Sequence, residues 1–116
     1  MENNNLQIDI EELNNAQIIK PVGDIDLSKS ADLRAVIKIA IESSVDLIVI
    51  DLQHVNYMDS SGVATLIEGL QLSRTIYKEL VLCSLTKNVE AVIQLSKLDQ
   101  IFDIYLNKDI ALENSK

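Results

Sequence analysis

The chain has 116 residues, about the length of one domain, and 47% of them are apolar, enough for a hydrophobic core. Aromatic residues make up only 3%, so the core is expected to be aliphatic, which suits a sheet covered by helices better than an aromatic-lined ligand pocket. The net charge of −8 repels phosphate backbones and anionic lipids, so neither nucleic acid nor membrane is an expected partner. This charge favours a basic patch on a partner protein, although solubility alone also explains it.

The first predicted element is a β-hairpin. Residues 6–10 alternate apolar and polar side chains, as a half-buried strand does, and Ala16–Val22 is predicted as the second strand. Residues 11–15 are predicted as the turn, because Asn14 and Asn15 tolerate a left-handed backbone. Pro21 cannot donate a hydrogen bond to a neighbouring strand, so it is expected where no donor is needed.

Three further strands are predicted later in the chain. The continuous apolar run within residues 45–51 indicates a central strand with both faces covered, and residues 80–83 are a second central candidate. Residues 101–106 alternate again and are predicted as the last strand. Cys83, the single cysteine, is expected to be a buried strand residue rather than a reactive thiol, and it excludes an intrachain disulfide.

Helical periodicity separates these strands. Ser28 or Ser30 is expected to cap the first helix, a third helix is predicted over residues 89–95, and a fourth over residues 109–114. The sequence thus predicts an α/β fold: a mixed, mostly parallel sheet of about five strands with about four helices, starting with a β-hairpin. We expect a single domain over residues 1–116, with polar tails at 1–5 and 113–116. The first two helices are predicted from Leu33, Val36, Ile37, Ala40 and Ile41, and from Val63, Leu66, Ile67 and Leu70.

Features needed for enzymatic chemistry are scarce. His54 is the only histidine, which excludes a two-histidine metal site, and a polar loop position explains it better than a catalytic base. The three glycines are too far apart to form a phosphate-binding loop, so no nucleotide site is expected. We therefore expect no catalytic residue, metal or cofactor. Because no apolar leader or membrane-length apolar run is present, a cytoplasmic location is expected.

The stretch Asp59-Ser60-Ser61-Gly62 is predicted to begin the second helix, with both serines offering oxygens to unpaired N–H groups. A helix cap alone explains these residues, and this reading stays open. Ser60 also has the position of a hydrolase nucleophile, but Met58 replaces the first glycine of G-x-S-x-G, so we reject that alternative. A phosphate on Ser60 is compatible with the helix dipole and is expected to change the surface while the fold persists.

Four segments together resemble the STAS domain, and more narrowly its stand-alone bacterial members, the anti-sigma-factor antagonists. They are Gly23-Asp24-Ile25-Asp26 and residues 47–52, 57–63 and 80–83, and the similarity extends from Leu6 to about Leu112. The chain departs from the common pattern at Ala64, where many relatives have a second glycine, at Asp24, where glutamate is common, and at Ser96-Lys97-Leu98, where relatives often have Ser-Gly-Leu. The departures leave the acceptor serine in place and bear on which kinase is the partner.

The resemblance implies a partner switch. Such relatives bind a serine-kinase anti-sigma factor, which phosphorylates the first serine after the aspartate, here Ser60, and a PP2C-type phosphatase removes the phosphate. By position, Asp26, Asp59, Ser61 and Gly62 are implied to bind the partner, with Ser61 positioning the loop. The protein is expected to be a monomer or weak dimer. The alternative is a STAS-type scaffold or accessory subunit of a signalling or transport complex without a sigma-factor role.

Overall fold

The computed structural model of the protein describes residues 5–114. Most of the predicted polar tail at 1–5 and residues 115–116 of the predicted C-terminal tail lie outside the described residues. Asn5 is exposed, and Glu113 and Asn114 are exposed within the last helix.

The described chain alternates strands and helices after an initial hairpin, as the sequence predicted. Residues 5–114 contain five strands, four α-helices and one short 3-10 turn. In chain order these are β1 (Gln7–Leu13), β2 (Ala16–Val22), α1 (Ser30–Glu42), β3 (Leu47–Asp51), α2 (Ser60–Thr75), β4 (Glu79–Cys83), α3 (Lys87–Leu95), the 3-10 turn (Leu98–Gln100), β5 (Ile104–Tyr105) and α4 (Lys108–Asn114).

The strands form one sheet in the order β1-β2-β3-β4-β5. β1 and β2 are antiparallel, and every other neighbouring pair is parallel. The pairing of β2 with β3 ends at Ile19. Pro21 therefore lies beyond the part of β2 that pairs with β3, where its missing N–H donor is not needed. Because β2 and β3 are parallel neighbours, the loops that follow them leave the sheet side by side at its carboxyl edge.

The sheet separates two apolar clusters. Helices α1, α2 and α3 cover one face around Ile48, Ile50 and Leu82, whereas Ala111 of α4 packs on the other face against Val49 and Val81. Successive residues of β3 therefore point into different clusters, which explains why its apolar run is continuous. The core is almost entirely aliphatic, as the composition predicted.

Two predicted boundaries are wrong. Residues 11–13 belong to β1 rather than to a turn, because the connection needs only Asn14 and Asn15, with Asn14 at φ 56°. Strand β5 covers Ile104–Tyr105 alone, since the chain before it folds into a tight turn that buries Leu98 and Phe102 in the core. The consecutive polar residues Glu11 and Glu12 hide the end of β1, and the pattern of residues 101–106 fits both a strand and a tight turn.

The predicted cap of α1 is also wrong. Lys29 is the N-cap residue, and no side chain caps this helix. The Ser28 hydroxyl donates instead to Asp26 Oδ1 at 2.6 Å, and the Ser30 hydroxyl donates to the Leu27 carbonyl at 3.4 Å. The Asp26 carbonyl accepts hydrogen bonds from the backbone N–H groups of Lys29 and Ser30, both at 2.9 Å. A main-chain oxygen thus takes the place of the serine hydroxyl that was expected to cap this helix.

Candidate functional site

Two loops at the carboxyl edge of the sheet form the candidate site. The first joins β2 to α1 and the second joins β3 to α2. Backbone hydrogen bonds connect them: Gly23 N–H donates to the His54 carbonyl at 3.0 Å, Ile25 N–H to the Tyr57 carbonyl at 2.9 Å, and Asp59 N–H to the Ile25 carbonyl at 3.1 Å. We call residues 23–29 and 53–61 together the two-loop surface. These bonds hold its two segments as one unit.

A buried apolar layer supports the two-loop surface from below. Ile25 and Met58 pair as an isolated parallel bridge, and both side chains are buried. Gly62 packs directly on this pair, since a Cβ atom there would lie 2.5 Å from Met58 Cγ and 3.0 Å from Ile25 Cγ2. Only glycine allows the start of α2 to approach this closely. Gly62, one of the predicted partner-binding residues, is therefore buried beneath the surface.

Asp59 caps helix α2. Its Oδ1 accepts hydrogen bonds from the backbone N–H of Ser61 at 2.9 Å and of Gly62 at 3.4 Å. The expectation that the two serines supply the capping oxygens is wrong, because the residue before them occupies the cap position with the required extended backbone. Aspartate and serine are similarly good N-cap residues, so the sequence by itself does not single out Asp59.

The same hydrogen bonds stabilise the charged form of Asp59. The pKa of its carboxyl lies below the ordinary value, first of all because the Ser61 hydroxyl donates to it. Backbone N–H groups of Ser61, Gly62 and Leu27 lower the pKa further, while partial burial opposes them. At neutral pH the start of α2 thus already contains a carboxylate anion.

The structure separates the hydroxyls of the two adjacent serines. Ser60 is exposed, and its hydroxyl forms no hydrogen bond with any residue from 5 to 114. Ser61 is only partly exposed, and its hydroxyl donates to Asp59 Oδ1 at 2.5 Å. Ser60 is the serine of this pair that an approaching enzyme meets first.

Asp26 builds a turn like that of Asp59 in the first loop. Its Oδ1 accepts from the backbone N–H of Ser28 at 3.0 Å and from the Ser28 hydroxyl at 2.6 Å. Asp26 is itself partly exposed, and its loop is bonded to the segment that carries Ser60. The structure thus brings the predicted residues Asp26, Asp59 and Ser61 into one surface. Sequence reasoning missed the repeated D-x-S spacing, although both copies are visible in the chain.

Two large apolar side chains are exposed within the two-loop surface. Leu27 is 78% exposed and Tyr57 is 51% exposed, although neighbouring Ile25 and Met58 are fully buried. Both side chains offer apolar contact area on the same surface as Asp26 and Asp59. Neither residue was predicted from the sequence: Leu27 lies inside one D-x-S turn and Tyr57 two residues before the other, and an isolated apolar residue in a loop does not reveal its exposure.

Other candidates for chemistry lie outside this arrangement. His54 is exposed in a loop, as predicted, and Cys83 is buried in β4, where burial raises the pKa of its thiol to about 11. Between residues 5 and 114 no three His, Cys, Asp or Glu side chains come close enough together to bind a metal ion. None of the helices described is both long and apolar enough to cross a membrane.

Comparison with known proteins gives a consistent family. The sequence model of the STAS domain matches residues 7–111. The chain is 29% identical over 109 residues to an anti-sigma F factor antagonist from Paenibacillus polymyxa, which covers 93% of both chains.

Solved structures confirm the predicted fold. An anti-sigma factor antagonist from Mycobacterium paratuberculosis superposes with a TM-score of 0.85 at 23% identity, covering 93% of this chain and 92% of the other. The anti-sigma factor antagonist SpoIIAA in its unphosphorylated form gives 0.80 at 22% identity, covering 92% and 94%. Its phosphorylated form from Bacillus gives 0.75 at 20% identity, covering 95% and 100%. At these identities the structural likeness establishes the fold.

Proposed function

This chain belongs to the STAS domain family, and from that premise we propose that it is an anti-sigma-factor antagonist switched by phosphorylation of Ser60. Antagonists with a STAS domain are non-enzymatic regulators, in agreement with the prediction that this chain is not an enzyme. Unphosphorylated, the protein binds a serine-kinase anti-sigma factor, and phosphorylated, it releases that partner. A PP2C-type phosphatase restores the binding form.

One observation carries the proposal. The Ser60 hydroxyl is exposed, forms no hydrogen bond with another described residue, and lies at the start of a capped helix. The loop before this helix is hydrogen-bonded to the loop that follows β2. A kinase can reach this oxygen without unfolding the helix or breaking a hydrogen bond. The similar protein SpoIIAA has been solved in both an unphosphorylated and a phosphorylated form, which supports a phosphate-dependent role for the same fold.

The partner is proposed to bind the two-loop surface. Asp26 and Asp59 offer negative charge to basic side chains of the partner, and Ser61 holds the Asp59 carboxylate in place. Leu27 and Tyr57 add exposed apolar area to the same surface. Gly62 is buried, so we propose that it supports binding indirectly, by letting α2 approach the Ile25–Met58 pair.

Phosphorylation is proposed to act on this surface and to leave the fold intact. The N–H groups of Ser61 and Gly62 already donate to the Asp59 carboxylate, so these two are not free to neutralise a phosphate on Ser60. A dianion placed beside that carboxylate adds like charge and bulk to the surface, which opposes close packing of the partner there. A hundredfold loss of affinity needs about 2.7 kcal/mol, which one dianion misplaced in a packed interface can supply.

A pull-down with defined variants tests the proposal. Wild-type protein, Ser60→Ala and Ser60→Asp are used as baits in lysate of the native host, with ATP present, and captured proteins are identified by mass spectrometry. Ser60→Ala is expected to retain a serine kinase that wild type releases on phosphorylation, and Ser60→Asp is expected to lose it. Ser61→Ala is the matched control, since it changes the neighbouring hydroxyl and keeps Ser60.

The outcomes separate the two functions considered. Kinase capture that depends on Ser60 supports the antagonist. Equal capture of one partner by Ser60→Ala and Ser60→Asp contradicts the switch and favours the scaffold or accessory-subunit role. Phosphate found on Ser61 in a chain with intact Ser60 also contradicts the assignment.

A further inference from the structure

Asp59 accepts hydrogen bonds from the second of the two serines that follow it, and the hydroxyl of the first serine is exposed. Its Oδ1 accepts two hydrogen bonds from Ser61, one from the backbone N–H at 2.9 Å and one from the hydroxyl at 2.5 Å. The side chain of Ser60, between them in sequence, is exposed and has no hydrogen bond with a residue of the described chain. The two hydroxyls therefore differ in both access and freedom to rotate.

The other loop contains the same arrangement independently. Asp26 Oδ1 accepts from the backbone N–H of Ser28 at 3.0 Å and from its hydroxyl at 2.6 Å, and the middle residue Leu27 is exposed. In both D-x-S turns the aspartate thus forms hydrogen bonds with the third residue, and the side chain of the second residue is exposed. The position of Ser60 follows from the geometry of the turn and does not depend on the residue type at its centre.

We propose that Asp59 selects the phosphoacceptor: by binding the Ser61 hydroxyl, it makes Ser60 the serine that a kinase modifies. This inference rests on the proposed function and adds a determinant of specificity to it. Asp59 acts here as a positioning residue, since it acts through the Ser61 hydroxyl and needs no contact with the transferred phosphoryl group.

The chemistry of the transfer explains the selection. The attacking Oγ forms a bond to the γ-phosphorus of ATP, the bond from that phosphorus to the β,γ-bridging oxygen breaks, ADP leaves with the electron pair, and the hydroxyl proton passes to a base of the kinase. Ser60 Oγ can rotate into line for this attack. Ser61 Oγ must first leave a charge-assisted hydrogen bond, and the anionic γ-phosphoryl group then has to approach the Asp59 carboxylate that this hydroxyl contacts.

Site-resolved phosphorylation of two Asp59 variants tests the inference. The kinase recovered by Ser60→Ala is incubated with ATP and each protein, and the phosphate on each serine is quantified by mass spectrometry. Wild type and Asp59→Asn, which keeps a side-chain oxygen as acceptor, are expected to be labelled on Ser60. Asp59→Ala is expected to raise the ratio of Ser61 to Ser60 labelling by at least about tenfold, the effect of losing one hydrogen bond to a charged group.

This readout distinguishes selection from mere destabilisation. A weakened helix start lowers total labelling but leaves the ratio of the two sites unchanged, and circular dichroism reports whether each variant is folded. An unchanged ratio in folded Asp59→Ala overturns the inference and leaves the proposed function intact. Wild type that is not labelled on Ser60 overturns the proposed function and the inference together.

A second measurement needs no kinase. In wild type, the backbone amide resonances of Ser61 and Gly62 are expected to shift together on acidification, with a midpoint below the ordinary aspartate value of about 3.9. The same shift is expected to be absent from Asp59→Asn. If the Ser61 and Gly62 amide resonances of wild type do not shift with pH, the result contradicts the hydrogen-bonding geometry on which the selection depends.

Discussion

The two D-x-S turns of the two-loop surface share their geometry and differ in what they support. In each, an aspartate Oδ1 accepts from the N–H and the hydroxyl of the serine two residues later. Asp59 also caps α2 directly, whereas α1 begins four residues after Asp26 and uses its backbone carbonyl. The same local design thus exposes either an apolar side chain, Leu27, or a hydroxyl, Ser60, and the middle residue decides which.

The largest expected effect on stability comes from Gly62, three positions after Asp59. Gly62→Ala puts a Cβ atom 2.5 Å from Met58 Cγ, so overpacking is expected to lower the free energy of unfolding by about 1–3 kcal/mol. Urea denaturation measures the change. Ala64→Ser, at an exposed position of the same helix, is the control and is expected to change stability by less than about 0.5 kcal/mol. Equal stability of Gly62→Ala and wild type contradicts the tight packing.

The middle residue of the first turn is expected to affect binding and not stability. Leu27→Ala removes an exposed apolar side chain from the two-loop surface, so affinity for the captured kinase is expected to fall about tenfold, as for an interface anchor. The unfolding free energy is expected to change by less than about 0.5 kcal/mol. Calorimetric titration measures the affinity.

A matched leucine elsewhere is the control for Leu27. Leu106 is similarly exposed, but it follows β5, two strands from β3 in the sheet. Leu106→Ala is expected to leave affinity unchanged. Equal losses from both substitutions argue against a specific contact at Leu27.

The two aspartates are expected to differ in their contribution to stability. Asp59→Ala removes a helix cap and is expected to cost about 0.5–2 kcal/mol of unfolding free energy. Asp26→Ala keeps the backbone carbonyl that accepts from the start of α1, so its cost is expected to be smaller. Thermal or chemical denaturation of both variants decides the order, and a larger cost for Asp26→Ala reverses the comparison.

The smallest expected effect is a pH dependence that Asp59 adds. Because the pKa of this carboxyl is lower in the folded protein than in the unfolded chain, its stabilising contribution is fully present above the unfolded value of about 3.9. That contribution is lost as the pH falls through the lower, folded-state pKa. The stability difference between wild type and Asp59→Asn is therefore expected to change between about pH 5 and pH 2. A difference that is constant over this range contradicts the lowered pKa.

Patterns of apolar residues predicted most of the fold. Continuous and alternating runs located β2, β3 and β4, and the spacing of Leu33 and Val63 with their neighbours located α1 and α2. The end of β1 could not be predicted because Glu11 and Glu12 are consecutive polar residues, although both pair with β2. The start of β5 could not be predicted because the apolar residues at 101 and 102 fit a strand as well as the tight turn that the chain forms. That choice depends on long-range packing, here of Leu98 and Phe102.

The candidate site was predicted less completely than the fold. The resemblance assigned Ser60, and the start of α2 agrees with the D-S-S-G stretch. The cap could not be chosen among Asp59 and the two serines, because aspartate and serine are both good caps and only backbone angles separate the three positions. Exposure of Leu27 was also hidden, since an isolated leucine in a loop is as compatible with the core as with the surface.

The central claim is that the phosphate on Ser60 controls docking on a surface that stays folded. Protein carrying phosphoserine at position 60 by genetic incorporation, and the unmodified protein, are titrated into the captured kinase by calorimetry, with amide spectra recorded to verify the fold. The account predicts an intact fold and a Kd raised at least about hundredfold, or about 2.7 kcal/mol. Equal Kd values for the two folded forms contradict it.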